Sequence, residues 1–338
     1  MQKKIISLIS VLFLSLITSF HVIAAPTNTS LTERPDVKAF IQDMKRKHHF
    51  DEQLLKKWLG QAKIQSSIIT TMTKPAEKKP WYKYQAIFLS PQRINDGVTF
   101  WQANKAALAK AEKEYGIPPE IVIAIIGVET FYGKHAGQYS VLDALVTLGF
   151  DYPPRSKFFL SELEEFLLLA REEKWDPTQI KGSYAGAMGK PQFIASSYRR
   201  YAVDFNHTGR RDLLNNVDDA IGSVANYFKV HGWKKGDPIV FPAQVQGDKF
   251  KTLIASKSNP KPDHSWQTIS QSGVKASADP KKLQGQSFAL ISLEGTMGPQ
   301  YWLGAQNFYV ITRYNHSDHY AMAVYELSQK IKEAYKQT

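Results

Sequence analysis

Pro118-Pro-Glu-Ile-Val-Ile-Ala-Ile-Ile-Gly-Val-Glu-Thr-Phe-Tyr-Gly133 is the stretch on which the fold turns. From Ile121 to Val128 it carries no polar side chain, so a helix here is apolar on every face and belongs inside a core. Prolines at its first turn suit a helix start, and Gly133 reads as its stop. Glu129 interrupts the apolar run, four residues after Ile125 and three after Ile126, and so shares their face. Burial and the negative end of the helix both push a carboxyl pKa upward, which a general acid working near neutral pH requires. On this segment alone, a glutamate leaving the helix end into solvent is the leading reading, and the buried acid the alternative.

Working outward, Gly116 stops a long helix expected over Ile94–Tyr115. Upstream, Val37, Phe40, Ile41 and Met44, then Leu54, Leu55, Trp58 and Leu59, recur at three- and four-residue spacing, which predicts two short helices between Arg34 and Met72. Downstream, helical periodicity covers Leu142–Leu148, Phe158–Arg171 and Asp218–His231, and returns over Tyr320–Tyr335. After Gly236, Pro, Gly, Ser and Lys clusters separate short runs that read as strands: Ile239–Phe241, Phe250–Ile254 and Phe288–Leu293. The expected organisation is a mainly α protein: a mobile stretch over 25–33, a helical domain over 34–115, a core over 116–240, a small β-rich insertion over 241–300 and a closing segment over 301–338.

The 338 residues carry 43 Lys plus Arg against 31 Asp plus Glu, a net charge of +12, with 43% apolar and 22% charged residues. Those proportions exclude collagen-like, disordered and polytopic membrane classes. The absence of Cys removes disulfides, thiolate metal sites, thiol nucleophiles and lipid-modified cysteine together. Lys3 and Lys4 precede an apolar run over Ile5–Phe20, and Ala24 and Ala25 follow, the layout of a signal peptide over 1–24. Ser7, Ser10, Ser15, Thr18 and Ser19 interrupt that run, which argues against a retained membrane anchor. Export makes nucleic acid the weaker partner for a basic chain, and basic residues do not interleave with aromatics in a nucleic-acid-reading motif.

Two further segments stand out. Lys181-Gly-Ser-Tyr-Ala-Gly-Ala-Met-Gly-Lys-Pro-Gln-Phe193 surrounds Gln192 with glycine and alanine, which either lets backbone approach a bulky ligand or makes a tight packing surface. Asn307-Phe-Tyr-Val-Ile-Thr-Arg-Tyr-Asn-His-Ser-Asp-His-Tyr-Ala-Met322 is the other. With Glu129, in this order, the segments closely resemble the lytic murein transglycosylase B family from about Trp81 onward, less so over 241–285. The resemblance implies a lysozyme-like core that cleaves peptidoglycan between N-acetylmuramic acid and N-acetylglucosamine. It implies 1,6-anhydromuramoyl products, a periplasmic location and a role in cell-wall remodelling or turnover. Glu129 stands at the family's acid-base position, and Ser183, Gln192, Tyr227, Tyr314, Asn315, Tyr320 and Tyr84 stand where sugar contacts lie. The residues agree, since paired-carboxylate glycosidases need a second acid and none occurs near Gln192 or in the catalytic turn.

There are departures. The family commonly has two adjacent arginines after a Tyr-Pro, whereas Tyr152-Pro-Pro-Arg155 keeps only Arg155 to pair with a lactyl or peptide carboxylate. Asp204, Asn206, Thr208, the carbonyl of Arg210 and Asp219 (or Asp218) resemble a calcium loop in which Thr208 replaces a carboxylate and two arginines intrude. It reads first as a structural loop, with structural calcium as the alternative and no cofactor required. The pairs His316/His319 and His48/His49 lack the carboxylates of a metal set. Peptidoglycan strands are the expected partner, with other cell-wall enzymes beside them and no stable membrane anchor. The competing function is a non-catalytic peptidoglycan-binding scaffold with the same groove.

Overall fold

The computed structural model describes residues 30–73 and 79–338; the signal segment expected over 1–24 lies outside them. The chain is mainly helical. It opens with a single 3-10 turn, Leu31–Glu33, where a mobile stretch was expected, because Leu31 packs against the core. Then follow α1 (Pro35–His48), α2 (Glu52–Gln61) and α3 (Ser66–Met72), three helices where periodicity predicts two. The extra break is tertiary. Asp143 accepts the amide of Lys63 at 3.0 Å and the side chain of Gln65 at 2.8 Å, and Thr147 accepts the Gln65 amide, which turns the chain out of α2.

Next come α4 (Trp81–Phe88), α5 (Pro91–Ala103), α6 (Lys105–Tyr115) and α7 (Pro119–Thr130). The long helix expected up to Tyr115 is broken at Asn104, whose side chain donates to the carbonyl of Phe100 at 2.8 Å while its own backbone leaves helical geometry. Gly116 ends α6 in the left-handed conformation, as its position implied. The core continues through β1 (Tyr139–Ser140), α8 (Val141–Asp151), α9 (Ser156–Glu172), β2 (Lys181–Gly182), α10 (Ala195–Tyr201) and α11 (Val217–Val230).

The insertion holds β3 (Val240–Val245), β4 (His264–Ser265), α12 (Trp266–Gln271), β5 (Val274–Ala276), β6 (Ser287–Gly295) and β7 (Gly298–Gly304). Its sheet has the order β4-β6-β7-β3-β5, antiparallel throughout, and so reaches just beyond the expected 241–300. Phe250–Ile254 is not a strand. Lys249–Leu253 forms a 3-10 turn that sinks Phe250 into the insertion's own small core, and only Ile254 bridges to Leu290. Finally α13 (Gln306–Tyr314) and α14 (Asp318–Tyr335) return to the helices, and one contiguous buried cluster runs from Val37 to Ile331.

α7 is the axis of that cluster. Every residue from Ile121 to Ile126 is fully buried, with α5, α6, α11 and α14 packed around it. Burying a Val or Ile side chain is worth about 1.5–3 kcal/mol, so the helix is fixed by its surroundings and its end is a rigid place for a functional group.

Candidate active site

Glu129 lies in the last turn of α7, half-buried. The helix ends at Thr130 rather than running to Gly133, and Phe131, Tyr132 and Gly133 all adopt left-handed backbone, with φ of 52°, 62° and 89°. For the two residues other than glycine this costs roughly 1–2 kcal/mol each, and such strain persists only where the surroundings dictate it. Their amides close the helix, Phe131 onto the carbonyl of Gly127 and Tyr132 onto that of Ile126.

Tyr320, in the first turn of α14, donates its hydroxyl to Glu129 Oε1 at 2.6 Å. Ser317 caps α14 and so aims this turn. Tyr314, at the end of α13, lies nearly parallel to Tyr320, 6.4 Å between ring centroids, and donates to the carbonyl of Pro191 at 2.6 Å. Burial, then the charge of Glu129, pushes both phenols well above their ordinary pKa, so each keeps its proton and serves as a donor. Tyr227, on α11, donates to the carbonyl of Arg313 at 2.5 Å, and its ring stacks on His231 and meets Tyr314 edge-on.

Beside these tyrosines opens a cleft of about 630 Å³. It brings together Gln192, Tyr227, Tyr314, Asn315 and Arg155. The side-chain N–H groups of Gln192 are taken by the carbonyls of Ala136 and Gly189, which leaves its amide oxygen as the polar atom for a ligand. Arg155 is exposed, its guanidinium 4.4 Å from the ring centroid of Phe158. Ser183 does not line the cleft; its hydroxyl oxygen accepts the amides of Ala185 and Ala187 and shapes the wall from which Ala185 projects. Tyr84, 2% exposed, sits against His319 and Trp81 and backs the site from beneath. Arg313 and His316 also line the cleft and were not singled out as site residues, although both stand in the segment from Asn307 to Met322.

The glycines around Gln192 serve packing. A Cβ at Gly182 would stand 2.3 Å from the carbonyl oxygen of Ala187, and one at Gly189, where φ is +71°, 2.4 Å from that of Leu213. The tight-surface reading of this segment therefore holds over close ligand approach. No Asp or Glu occurs among the described residues lining the cleft.

The Asp204–Asp219 loop is closed on itself. Asp219, fully buried, accepts the amides of Phe205 at 2.8 Å and Asp212 at 2.9 Å, and Asp204 accepts those of Thr208 and Gly209. Asn206 accepts from the side chain of Asn216, and Thr208 donates toward Asp204 or the carbonyl of Arg210. Arg211 ties the loop to Glu173 of the neighbouring segment at 2.5 Å. These oxygens accept loop amides, and no cluster of three acidic or imidazole groups occurs among the described residues; the further oxygens a calcium ion could use here are those of Asn206, Thr208 and the Arg210 carbonyl.

Comparison with known proteins agrees with this geometry. Residues 32–329 match the family described as transglycosylase SLT domain. The chain is 45% identical over 309 residues to membrane-bound lytic murein transglycosylase B of Escherichia coli (strain K12), covering 88% of this chain and 82% of that protein. Among solved structures it is similar to the soluble lytic transglycosylase SltB1 from Pseudomonas aeruginosa, 46% identical with a TM-score of 0.83, over 89% of this chain and 99% of that one. It is likewise similar to the Escherichia coli lytic transglycosylase Slt35 in complex with calcium, 44% identical with a TM-score of 0.82, over 90% and 95% of the two chains.

Proposed function

The chain belongs to the transglycosylase SLT domain family, and on that premise we propose that Glu129 is its acid-base group. As a member it is a lytic transglycosylase, an enzyme that cleaves peptidoglycan. The observation that carries the assignment is the Glu129–Tyr320 pair at the end of a helix buried from Pro119 to Gly127, with Tyr320 stacked on Tyr314 of a cleft whose lining holds no Asp or Glu. Glu129 gives its proton to the glycosidic oxygen as the bond to the muramoyl C1 breaks. The carboxylate then takes the proton of the muramoyl C6 hydroxyl while that oxygen bonds to C1, so no water enters and the 1,6-anhydro ring forms. Tyr320 holds Oε1 throughout, which fixes the carboxyl plane.

Gln192, Asn315, Tyr227 and Tyr314 contact the sugars, and Arg155 with Arg313 gives the cleft a positive rim for lactyl or peptide carboxylates. Ser183, Tyr84 and Tyr320 act from behind this surface. We also infer export to the periplasm without a lipid: the sequence has no Cys to carry one, and no helix among the described residues is long and apolar enough to cross a membrane. The calcium loop works as a structural loop, closed by its own amides.

Digestion of purified peptidoglycan followed by mass spectrometry tests the catalytic reading. Muropeptides ending in 1,6-anhydromuramic acid are expected. Reducing ends would indicate hydrolysis, and intact strands with bound protein would favour the scaffold reading.

A further inference from the structure

The turn that carries Glu129 is held by a residue outside the cleft. Arg93, in the first turn of α5, donates a guanidinium N–H to the carbonyl oxygen of Gly127 at 2.6 Å, two residues before Glu129. The guanidinium lies 4.6 Å from the ring centroid of Phe131 and 5.3 Å from that of Phe88, so it is sandwiched where the left-handed backbone begins. The contact is returned, because the hydroxyl of Tyr132 donates to the carbonyl of Arg93 at 2.7 Å. The space for that phenol comes from Gly97 and Gly127, where a Cβ would stand 2.6 and 2.7 Å from its oxygen. Thr130 anchors the opposite side of the turn on the carbonyl of Lys190.

This geometry does more than close a helix. The carbonyls at a helix C-terminus present negative charge to a carboxylate in the last turn, and a guanidinium placed on one of them offsets it. Burial lowers the Arg93 pKa from its ordinary value, but a guanidinium starts so high that it keeps its charge at every working pH. We propose that Arg93 is a positioning residue for the reaction, holding the terminal turn of α7, and with it Glu129, at a fixed angle while offsetting the negative helix end. The proposal rests on the reading of Glu129 as the acid. The other ionisable groups around this turn are Tyr320 and Tyr314 from α14 and α13, Lys190 from the glycine-rich segment, His135, and the Lys134–Asp96 pair.

The test compares wild type, Arg93→Gln, Arg93→Lys, Tyr132→Phe and Glu129→Gln on soluble glycan fragments from acid to alkaline pH, with Tm measured for each. Misplacing a catalytic group by a fraction of an ångström can cost ~10-fold or more, so Arg93→Gln should lose about that much in kcat with KM nearly unchanged. Without the cation Glu129 holds its proton to higher pH, so the alkaline limb of kcat/KM should move up by about 0.2–0.7 pH unit, the range of a helix-end charge. Arg93→Lys should restore the limb but only part of kcat. Reading the limb again in a His135→Gln background removes that imidazole as its source. Should Arg93→Gln fail to fold, Tyr132→Phe keeps the ring and the charge but frees the Arg93 carbonyl, and a lowered kcat with an unmoved limb is expected. Wild-type kcat in both variants, or an Arg93→Gln loss that follows Tm with the limb unmoved, would overturn the proposal while an inactive Glu129→Gln left the acid in place. An active Glu129→Gln would overturn the acid assignment instead.

Discussion

Glu129 and Asp219 are carboxylates in the same helical core, one in the last turn of a helix and the other in the first, and their surroundings give them opposite uses. Asp219 has no exposed surface, and each of its oxygens accepts a backbone amide, so its lone pairs tie the Phe205–Asp212 loop to α11. Glu129 is half-buried, takes the Tyr320 hydroxyl on Oε1, and lies behind the cleft through Tyr320, whose ring stacks on the cleft-lining Tyr314. A carboxylate's role follows from what already occupies its oxygens. Amides on both oxygens of a fully buried group make a structural tie, whereas a neutral phenol hydroxyl donating to a half-buried group suits one that exchanges a proton.

Exchanging each acid for its amide separates the two roles. Glu129→Gln preserves an acceptor for Tyr320 but has no proton to give, so activity should fall by ~10²–10⁴ with Tm unchanged. Asp219→Asn turns an NH₂ group toward a buried amide, and should cost about 3 kcal/mol of stability while specific activity of the folded protein survives. Denaturation and initial rates on the two variants check both outcomes. A stable but inactive Asp219→Asn would erase the distinction.

Asp318 sharpens it with pH. Burial is the main cause that pushes its carboxyl up to about 6, above the ordinary 3.8. A folded-state pKa raised this way gives stability that is complete below about pH 4 and is lost as pH rises through about 6. A shift of roughly two units sets a ceiling near 3 kcal/mol, and the favourable start of α14 trims it to about 1–2. Asp318→Asn should therefore be more stable than wild type at pH 7 and equal to it only below about pH 4, in paired thermal melts. A variant less stable at pH 7 would contradict the sign.

The smallest effect concerns calcium. If the Asp204–Asp219 loop is closed by amides, adding millimolar calcium or a chelator should move Tm by less than about 1 °C, since even an ion present at its Kd adds only about 0.4 kcal/mol. A shift of several degrees would mean that the loop reopens around the ion.

The same contrast explains what the sequence revealed. α7 was legible because its signals are local: prolines at the start and an apolar run with one acid. The α5–α6 break at Asn104 and the α2–α3 break were not, the second because it depends on Asp143, some eighty residues away along the chain. Left-handed Phe131 and Tyr132 carry no glycine signal; Arg93, Gly97 and Gly127 make that backbone tolerable. Tyr320 reaches Glu129 across 191 residues, so the pair was visible in sequence only through family resemblance. In the insertion, Phe250 reads locally as part of a strand, but a 3-10 turn sinks it into the insertion's own core and only Ile254 reaches the sheet.

The central claim is that a lone carboxyl cleaves the glycan with the substrate's own hydroxyl as nucleophile. Digesting peptidoglycan in oxygen-18 water and weighing the released muramoyl ends measures this directly. Anhydro ends without label are expected; label incorporated into most of those ends would mean that water attacks C1 and would contradict the single-carboxylate mechanism.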